Sequence, residues 1–107
     1  MPYEIILAPS AIRVLGALRA DVRGRVRDAI ELHLRHEPTK VSKSRIKRLR
    51  GLDQPQYRLR VDEVRVFYDV EEDSAQVLAI ISKAQADAWL KSEGTPSKAG
   101  GAGEGEG

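Results

Sequence analysis

Two adjacent segments decide the fold: Tyr57-Arg-Leu-Arg-Val61 and Val64-Arg-Val-Phe-Tyr-Asp-Val70. Both are rich in β-branched and aromatic residues, and the first alternates apolar with charged side chains at the period of two that is typical of a strand. Only Asp62 and Glu63 separate the two segments, so the sequence predicts a tight β-hairpin. The connection contains no glycine, so the pattern does not specify the turn type.

Apolar segments on either side of the hairpin predict the rest of the sheet. Residues 3–8 form a short apolar run closed by Pro9, and residues 75–82 form a nearly continuous one. Such runs suit buried strands, and the longer run is expected of an inner strand covered on both faces. We expect a short closing helix over residues 83–90, with its last two side chains turned onto the core.

Residues 9–36 have the pattern of a helical hairpin. Proline is favoured at a first helical position, and apolar side chains recur at helical spacing after Pro9 and again over residues 22–34. Asp21 is the expected N-cap of the second helix. That helix is expected to run to about His36, because Pro38 ends it.

The order of these elements, β-α-α-β-β-β-α, predicts an α+β domain over residues 1–91. We expect a small, mostly antiparallel four-stranded sheet with the N-terminal helical hairpin packed on one face. Residues 92–107 have the sequence SEGTPSKAGGAGEGEG. Such a Gly-rich segment cannot bury enough apolar surface to offset the entropy cost of ordering, so it is predicted to be a disordered tail.

Composition excludes several classes of protein. The chain has 107 residues and no cysteine, which excludes disulfides, thiolate chemistry and cysteine-based zinc sites. It has no run of about 20 apolar residues and no signal-peptide pattern, so a cytoplasmic protein without a membrane partner is expected. His33 and His36 lack companion ligands, and no metal or small-molecule cofactor is predicted. The chain also lacks a Walker-type phosphate loop and the G-x-S-x-G and H-E-x-x-H motifs.

Positive charge is concentrated in the first part of the chain. Residues 13–65 carry 15 basic and 7 acidic side chains, whereas residues 66–107 carry 3 basic and 8 acidic ones. Residues 40–50, the basic run, hold six cations and no acid, which favours binding to a polyanion such as RNA. A plain solvated loop is the alternative. The predicted RNA-binding residues of the basic run are Lys40, Lys43, Arg45, Lys47, Arg48 and Arg50.

Three arginines of the hairpin are expected to share one face of the sheet. Arg58 and Arg60 are two residues apart in one strand, and the short turn brings Arg65 of the next strand near Arg60. Guanidinium groups donate in pairs to phosphate oxygens, so this face is a candidate phosphate site. The residues alone also allow a solvated face whose arginines pair with nearby carboxylates. Those carboxylates are Asp53, Asp62 and Asp69.

The order of these motifs resembles the RelE/ParE superfamily of toxins from bacterial toxin–antitoxin systems. The matching segments are Tyr3-Glu-Ile-Ile, Lys47-Arg-Leu-Arg-Gly-Leu, Tyr57-Arg-Leu-Arg-Val, Val64-Arg-Val-Phe-Tyr-Asp-Val, Val77-Leu-Ala-Ile-Ile and Lys83 followed by Trp89-Leu90. Together they cover the chain from its first residue to about residue 91. The resemblance therefore leaves out only the predicted tail.

The resemblance implies a bacterial or archaeal toxin of the RelE type, which enters the ribosomal A site, cuts mRNA and so inhibits translation and growth. Such endoribonucleases (mRNA interferases) work without metal, because the 2′-hydroxyl of the RNA attacks the adjacent phosphate. The implied partners are a cognate antitoxin protein, mRNA and ribosomal RNA. Arg65 is implied to stabilise the pentavalent phosphate. The implied catalytic residues are Arg58, Arg60, Arg65 and Lys83.

Departures from the RelE pattern keep two other functions open. Ala84 stands where many relatives have an arginine, and Leu90 stands in the helix turn where others have a tyrosine. Arg58 and Arg60 replace lysines of the best-known nucleases, and arginine is a poor general base. A ParE-like protein that inhibits DNA gyrase without catalysis is one alternative. A catalytically degenerate homologue that acts as an antitoxin-binding partner is the other.

Overall fold

A five-stranded sheet organises residues 2–97, the part of the chain that the computed structural model describes. The elements are β1 (Glu4–Leu7), α1 (Pro9–Ala17), α2 (Ala20–Ala29) with a π-helical continuation (Ile30–Leu34), β2 (Ile46–Arg48), β3 (Leu52–Gln54), β4 (Tyr57–Val61), β5 (Val64–Glu71), β6 (Ser74–Ser82), α3 (Lys83–Glu93) and β7 (Thr95–Pro96). The strand order is β1-β6-β5-β4-β2, and β3 pairs with β7 in a separate ribbon. β1 runs parallel to β6, and the other pairs of the sheet are antiparallel. The predicted α+β class is confirmed.

The sequence predicted four strands, and the structure adds β2 at one edge of the sheet, inside the basic run. In the register of β2 with β4, Ile46 lies opposite Leu59 and Lys47 lies opposite Arg58. Ile46 is 3% exposed, whereas the next two side chains are exposed cations. A single buried side chain is too short a pattern to indicate a strand, and the sequence therefore favoured a loop.

The predicted hairpin of β4 and β5 is confirmed with its two-residue turn, and Arg60 lies opposite Arg65 across it. Asp62 adopts the left-handed backbone conformation that glycine would otherwise provide, with a φ of 52°. Its carboxylate accepts a hydrogen bond of 2.6 Å from Nε of Arg25. The turn is therefore tied to α2 by aspartate, one of the residue types that the left-handed conformation favours.

The apolar core lies between the sheet and the helical hairpin. Alternate side chains of β4 and β5 contribute to it, including Leu59 and Val66, which are fully buried. On the helical side the same cluster contains Val26 and Leu34, also fully buried. Because side chains alternate along a strand, the core accounts for only one face of the hairpin.

Tyr68 is the largest fully buried side chain of this core. Its ring stacks on Tyr57 with centroids 5.4 Å apart, and its hydroxyl donates a hydrogen bond of 2.6 Å to the carbonyl oxygen of Pro38. Burial raises the pKa of Tyr68 above its ordinary value, and the neighbouring Tyr57 adds to the rise. The hydroxyl is therefore a neutral donor that ties the segment after the second helix to the sheet.

The second helix differs from its prediction at both ends. α2 begins at Ala20 with Arg19 at the N-cap position, so the prediction that Asp21 caps the helix is wrong. Asp21 lies instead in the first turn, where a carboxylate interacts favourably with the helix dipole. The π-helical continuation ends at Leu34, short of the expected end near His36.

Secondary structure extends beyond residue 91, where the sequence predicted the domain to end. α3 runs to Glu93, and Thr95 and Pro96 pair with β3. The backbone N–H of Ser97 donates to the carbonyl oxygen of Gly51 at 2.9 Å. Residues 98–107, the rest of the predicted tail, lie outside the described residues. Within residues 2–97 no helix combines the length and apolar character needed to cross a membrane.

Candidate anion-binding site

The sheet face that points away from the helical hairpin carries cations from three neighbouring strands. Lys47 of β2 lies opposite Arg58 of β4, and Arg60 of β4 lies opposite Arg65 of β5. Because strand residues alternate between faces, these four side chains leave the sheet on the side opposite the core residue Leu59. The structure thus places the three arginines singled out from the sequence on one face.

Helix α3 covers one end of this face and encloses a cleft with it. Trp89 stacks on the fully buried Phe67 with ring centroids 5.0 Å apart and planes 14° apart. Phe67 lies opposite Arg58, so the stacked pair closes the same face that carries the cations. The enclosed space, the basic cleft, has a volume of about 400 Å³. Its lining includes Lys47, Arg58, Arg65, Phe67, Lys83 and Asp87.

Backbone oxygen atoms hold Arg65 in the basic cleft. Arg65 is only 8% exposed, and its Nη1 donates hydrogen bonds to the carbonyl oxygens of Asp62 at 2.8 Å and Val64 at 3.1 Å. These acceptors carry no net charge. The contacts therefore fix the orientation of the guanidinium and leave its positive charge uncompensated, which is the arrangement required to stabilise an anion.

Arg58 has an unmet requirement for an acceptor. Its Nε is buried and has no hydrogen-bond partner within the described residues. Burial lowers the pKa of Arg58, and the positive charges of Arg65 and Arg60 lower it further. A bound anion would supply the opposing charge that this cluster of cations lacks. Arg58 therefore favours an anion site over a merely solvated arginine face.

Of the three carboxylates that the sequence offered as neutralising partners, Asp62 and Asp69 are engaged elsewhere. The third, Asp53, forms no ion pair of 4.0 Å or less within residues 2–97. Asp62 pairs with Arg25, and Asp69 accepts hydrogen bonds of 2.6 Å from Nε2 of Gln54 and 2.8 Å from the backbone N–H of Gln56. Within residues 2–97 no ion pair of 4.0 Å or less joins a carboxylate to a cation of the basic cleft. Clustered like charges repel one another unless an anion compensates them.

Arg60 shares the face but lies outside the basic cleft. It lines a neighbouring hollow of about 270 Å³, the outer pocket, together with Ser44, Arg45 and Asp62. The backbone N–H of Arg60 donates to the carbonyl oxygen of Arg45 at 2.8 Å, which holds the loop before β2 beside β4. The three predicted arginines are therefore divided between two adjacent sites, Arg58 and Arg65 in the cleft and Arg60 in the pocket.

The six cations of the basic run do not form one surface. Lys47 lines the basic cleft, and Arg45 lines the outer pocket. Arg48 lies over the ring of Tyr57, 5.2 Å from its centroid, on the other face of the sheet. The remaining three are exposed and line neither site: Lys40, Lys43 and Arg50. Two of the six cations are therefore placed to extend the anion site.

Asp87, which was not predicted to be a site residue, also lines the basic cleft. Asp87 lies four residues after Lys83 on α3, and residues at this spacing share one helix face. That spacing from a predicted site residue was the signal available in the sequence. Within residues 2–97 no group of three or more His, Cys, Asp or Glu side chains is arranged to hold a metal ion.

Comparison with solved structures identifies the fold. The RelE–RelB complex from the archaeon Pyrococcus horikoshii OT3 contains a chain similar to this one, with a TM-score of 0.66 and 22% identity over 79% of this chain and 99% of that chain. A RelB–RelE complex from Methanococcus jannaschii gives a TM-score of 0.63 and 18% identity, over 79% of this chain and 98% of that chain.

A bacterial complex gives the same result. The toxin–antitoxin complex RelBE2 from Mycobacterium tuberculosis is similar at a TM-score of 0.61 and 21% identity, over 77% of this chain and 99% of that chain. No protein-family profile and no curated protein sequence matches the chain. At these identities the likeness establishes the fold, and the RelE-like fold expected from the sequence is confirmed.

Proposed function

We propose that this chain is the toxin of a toxin–antitoxin pair and acts as a RelE-like, ribosome-dependent mRNA endonuclease in the cytoplasm. The observation that carries the proposal is the basic cleft, where Arg58 and Arg65 converge without a neutralising carboxylate within 4.0 Å in residues 2–97. The fold shared with RelE toxins supports it. Such a cleft accepts a phosphodiester and stabilises the additional charge that develops when the phosphate is attacked.

The reaction needs no metal, because the RNA supplies its own nucleophile. The 2′-hydroxyl attacks the adjacent phosphorus and the bond to the 5′-oxygen breaks. Arg65, oriented by two carbonyl oxygens, stabilises the pentavalent phosphate. Arg58, which also lines the cleft, binds a non-bridging oxygen through its guanidinium. Arg60 and Arg45 bind a neighbouring phosphate in the outer pocket. Lys83 at the start of α3 completes the catalytic set, and Lys47 adds to the grip on RNA.

Expression in a bacterial host combined with mapping of transcript ends tests the activity. The wild type should arrest growth and yield cut transcripts, and Arg65→Ala should relieve both, because losing an aligned donor to a transition state costs about 100-fold in rate or more. Arg65 is buried, so its variant must be shown to fold by circular dichroism. Lys83→Ala provides a second test at an exposed position, and Arg13→Ala, exposed on α1, is the matched control. Full toxicity of both site variants would refute the assignment.

A second candidate function has one observation in its favour. Leu90 lines the basic cleft in the helix turn where the resemblance leads one to expect a tyrosine, and Ala84 supplies no charge after Lys83. A cleft without these groups also suits a toxin that inhibits DNA gyrase by binding alone. Supercoiling and translation assays with the same purified protein separate the two functions, since a nuclease inhibits translation only. A protein that affects neither assay and still binds an antitoxin would be the degenerate homologue.

A cognate antitoxin is the proposed protein partner. Repulsion among the cations of the basic cleft is relieved by an acidic or amphipathic segment laid across it, just as it is by RNA. The similar solved chains come from complexes of RelE with RelB. Coexpression with the product of a short reading frame, where one is found beside the gene, should give a stable complex and restore growth. A chain that copurifies with no such product and needs none for host survival would contradict the pairing.

A further inference from the structure

Asp87 is the acidic residue of the basic cleft, and the other charged residues of the described lining are cations. Among the described residues of its lining, four are cations, one from each of β2, β4, β5 and α3. Asp87 nevertheless forms no ion pair within 4.0 Å and no side-chain hydrogen bond within residues 2–97. It is exposed, so water and a polynucleotide have access to it. The carboxylate is therefore available for a role other than neutralising its neighbours.

The position of Asp87 is fixed by the helix that carries it. Lys83 lies four residues before it, so both side chains project from one face of α3 toward the arginines. Two residues beyond Asp87, Trp89 stacks on the buried Phe67 and anchors the helix to the sheet. Asp87 is thus held on a rigid element opposite Arg58 and Arg65, which bind the phosphate in the proposed function.

The proposed reaction requires a proton acceptor, and the three arginines and Lys83 do not supply one. A 2′-hydroxyl becomes an effective nucleophile when a base removes its proton. Arginine has a pKa of about 12 or more and is a poor base. The described lining of the basic cleft contains no histidine and no tyrosine. In the described lining of the basic cleft, the carboxylate of Asp87 is the side chain able to accept a proton at neutral pH.

We propose that Asp87 is the general base of RNA cleavage, an inference that rests on the proposed function. Its carboxylate takes the proton of the 2′-hydroxyl as the 2′-oxygen bonds to phosphorus. The bond from phosphorus to the 5′-oxygen then breaks, and the ammonium of Lys83 gives the leaving oxygen its proton. The products are a 2′,3′-cyclic phosphate and a 5′-hydroxyl, so atoms, electrons and protons balance.

Single-turnover cleavage of a short mRNA on purified ribosomes, measured from acid to neutral pH, tests the inference. Asp87→Asn keeps the size of the side chain and removes the base, so the rate should fall at least about 100-fold while binding of the ribosome–mRNA complex stays equal or tightens. The acidic limb of the wild-type pH–rate profile should disappear in this variant. Asp87→Glu should recover part of the rate and restore that limb.

The matched control is Asp73→Asn, exposed in the turn between β5 and β6 at the opposite end of these strands from the cleft. It should cleave like the wild type. If the wild type cleaves and Asp87→Asn retains both its rate and its acidic limb, the inference fails and the proposed function stands. If the wild type itself leaves mRNA intact, the proposed function fails and the role of Asp87 fails with it.

Discussion

On the core side of the β4–β5 hairpin, Leu59 and Tyr68 are fully buried, and the hydroxyl of Tyr68 has its acceptor. On the other side, the Nε of Arg58 is buried and has no acceptor within residues 2–97. The two faces share one backbone and differ only in which alternate residues they use. One face is packed and satisfied, and the other keeps clustered charge. Stability and anion binding can therefore be changed separately, at neighbouring positions of the same strand.

Neighbouring substitutions in β4 should produce the largest difference. Leu59→Ala leaves a cavity in the core and should lower the free energy of unfolding by about 2–5 kcal/mol. Arg60→Ala, the next residue and exposed, should change it by no more than about 0.5 kcal/mol. Urea denaturation of both variants measures the contrast. Equal losses of stability in the two variants would mean that the core face of the hairpin does not contribute more to stability than the charged face.

The stacked pair of Phe67 and Trp89 is the packed part of the cationic face, and it should show an intermediate effect. Trp89→Ala should destabilise the protein by about 2 kcal/mol, because α3 loses its main aromatic contact with the sheet. Cleavage of mRNA should fall as well, since Lys83 and Asp87 lose their positions. Trp89→Phe, which keeps a stacked ring, should retain most of both properties. A Trp89→Ala variant with unchanged activity would show that α3 does not position the site.

Removing the unpartnered charge should stabilise the fold while destroying the site. Arg58→Met fills the same space and removes a partly buried charge that lies near Arg65 and Arg60, so the free energy of unfolding should rise by up to about 1 kcal/mol. Binding and cleavage of RNA should be lost in the same protein. Chemical denaturation and an RNA-binding assay, each with the exposed Arg13→Met as control, measure the two effects. A destabilised Arg58→Met variant would indicate that Arg58 has a structural partner after all.

The smallest effect concerns the edge strand. If Lys47 contacts a phosphate, Lys47→Gln should reduce the slope of log binding constant against log salt concentration by about 0.7 for a single-stranded RNA. Lys40→Gln is the matched control, because Lys40 lies outside both anion sites and near Glu37, 3.8 Å away. Fluorescence titrations at several salt concentrations provide the slopes. Identical slopes for both variants would remove Lys47 from the binding surface.

The sequence predicted those parts of the fold that repeat over several residues. The alternation in β4, the apolar run of β6 and the helical spacing of the N-terminal hairpin each involve enough side chains to define a period. β2 was missed because it buries only Ile46, and β7 because two residues carry no period at all. The N-cap was misplaced because Asp21 also suits the first turn of a helix.

Strand periodicity predicted one part of the site, namely which side chains share a face of the sheet. Alternation places Arg58, Arg60 and Arg65 on one face, and the structure shows that face. The division into a cleft and an outer pocket depends on α3 and on the loop before β2, whose positions are set by tertiary packing such as the Trp89 stack. The spacing from Lys83 was the sequence signal for Asp87, but only the position of α3 shows that its side chain lines the same cleft as Arg58 and Arg65.

The pairing of β1 with β6 determines when the chain can fold during its synthesis. Glu4 lies beside Ser74 and Leu7 beside Val77, so the first strand has no partner until most of the polypeptide has been made. Closing so long a loop makes the sheet a late, cooperative event. A nascent chain interrupted before β6 therefore lacks the inner strand that joins β1 to β5, and its sheet is incomplete. Any toxicity should consequently begin only with chains translated through β6, and a frameshift or stop codon upstream of Ser74 would leave a harmless fragment.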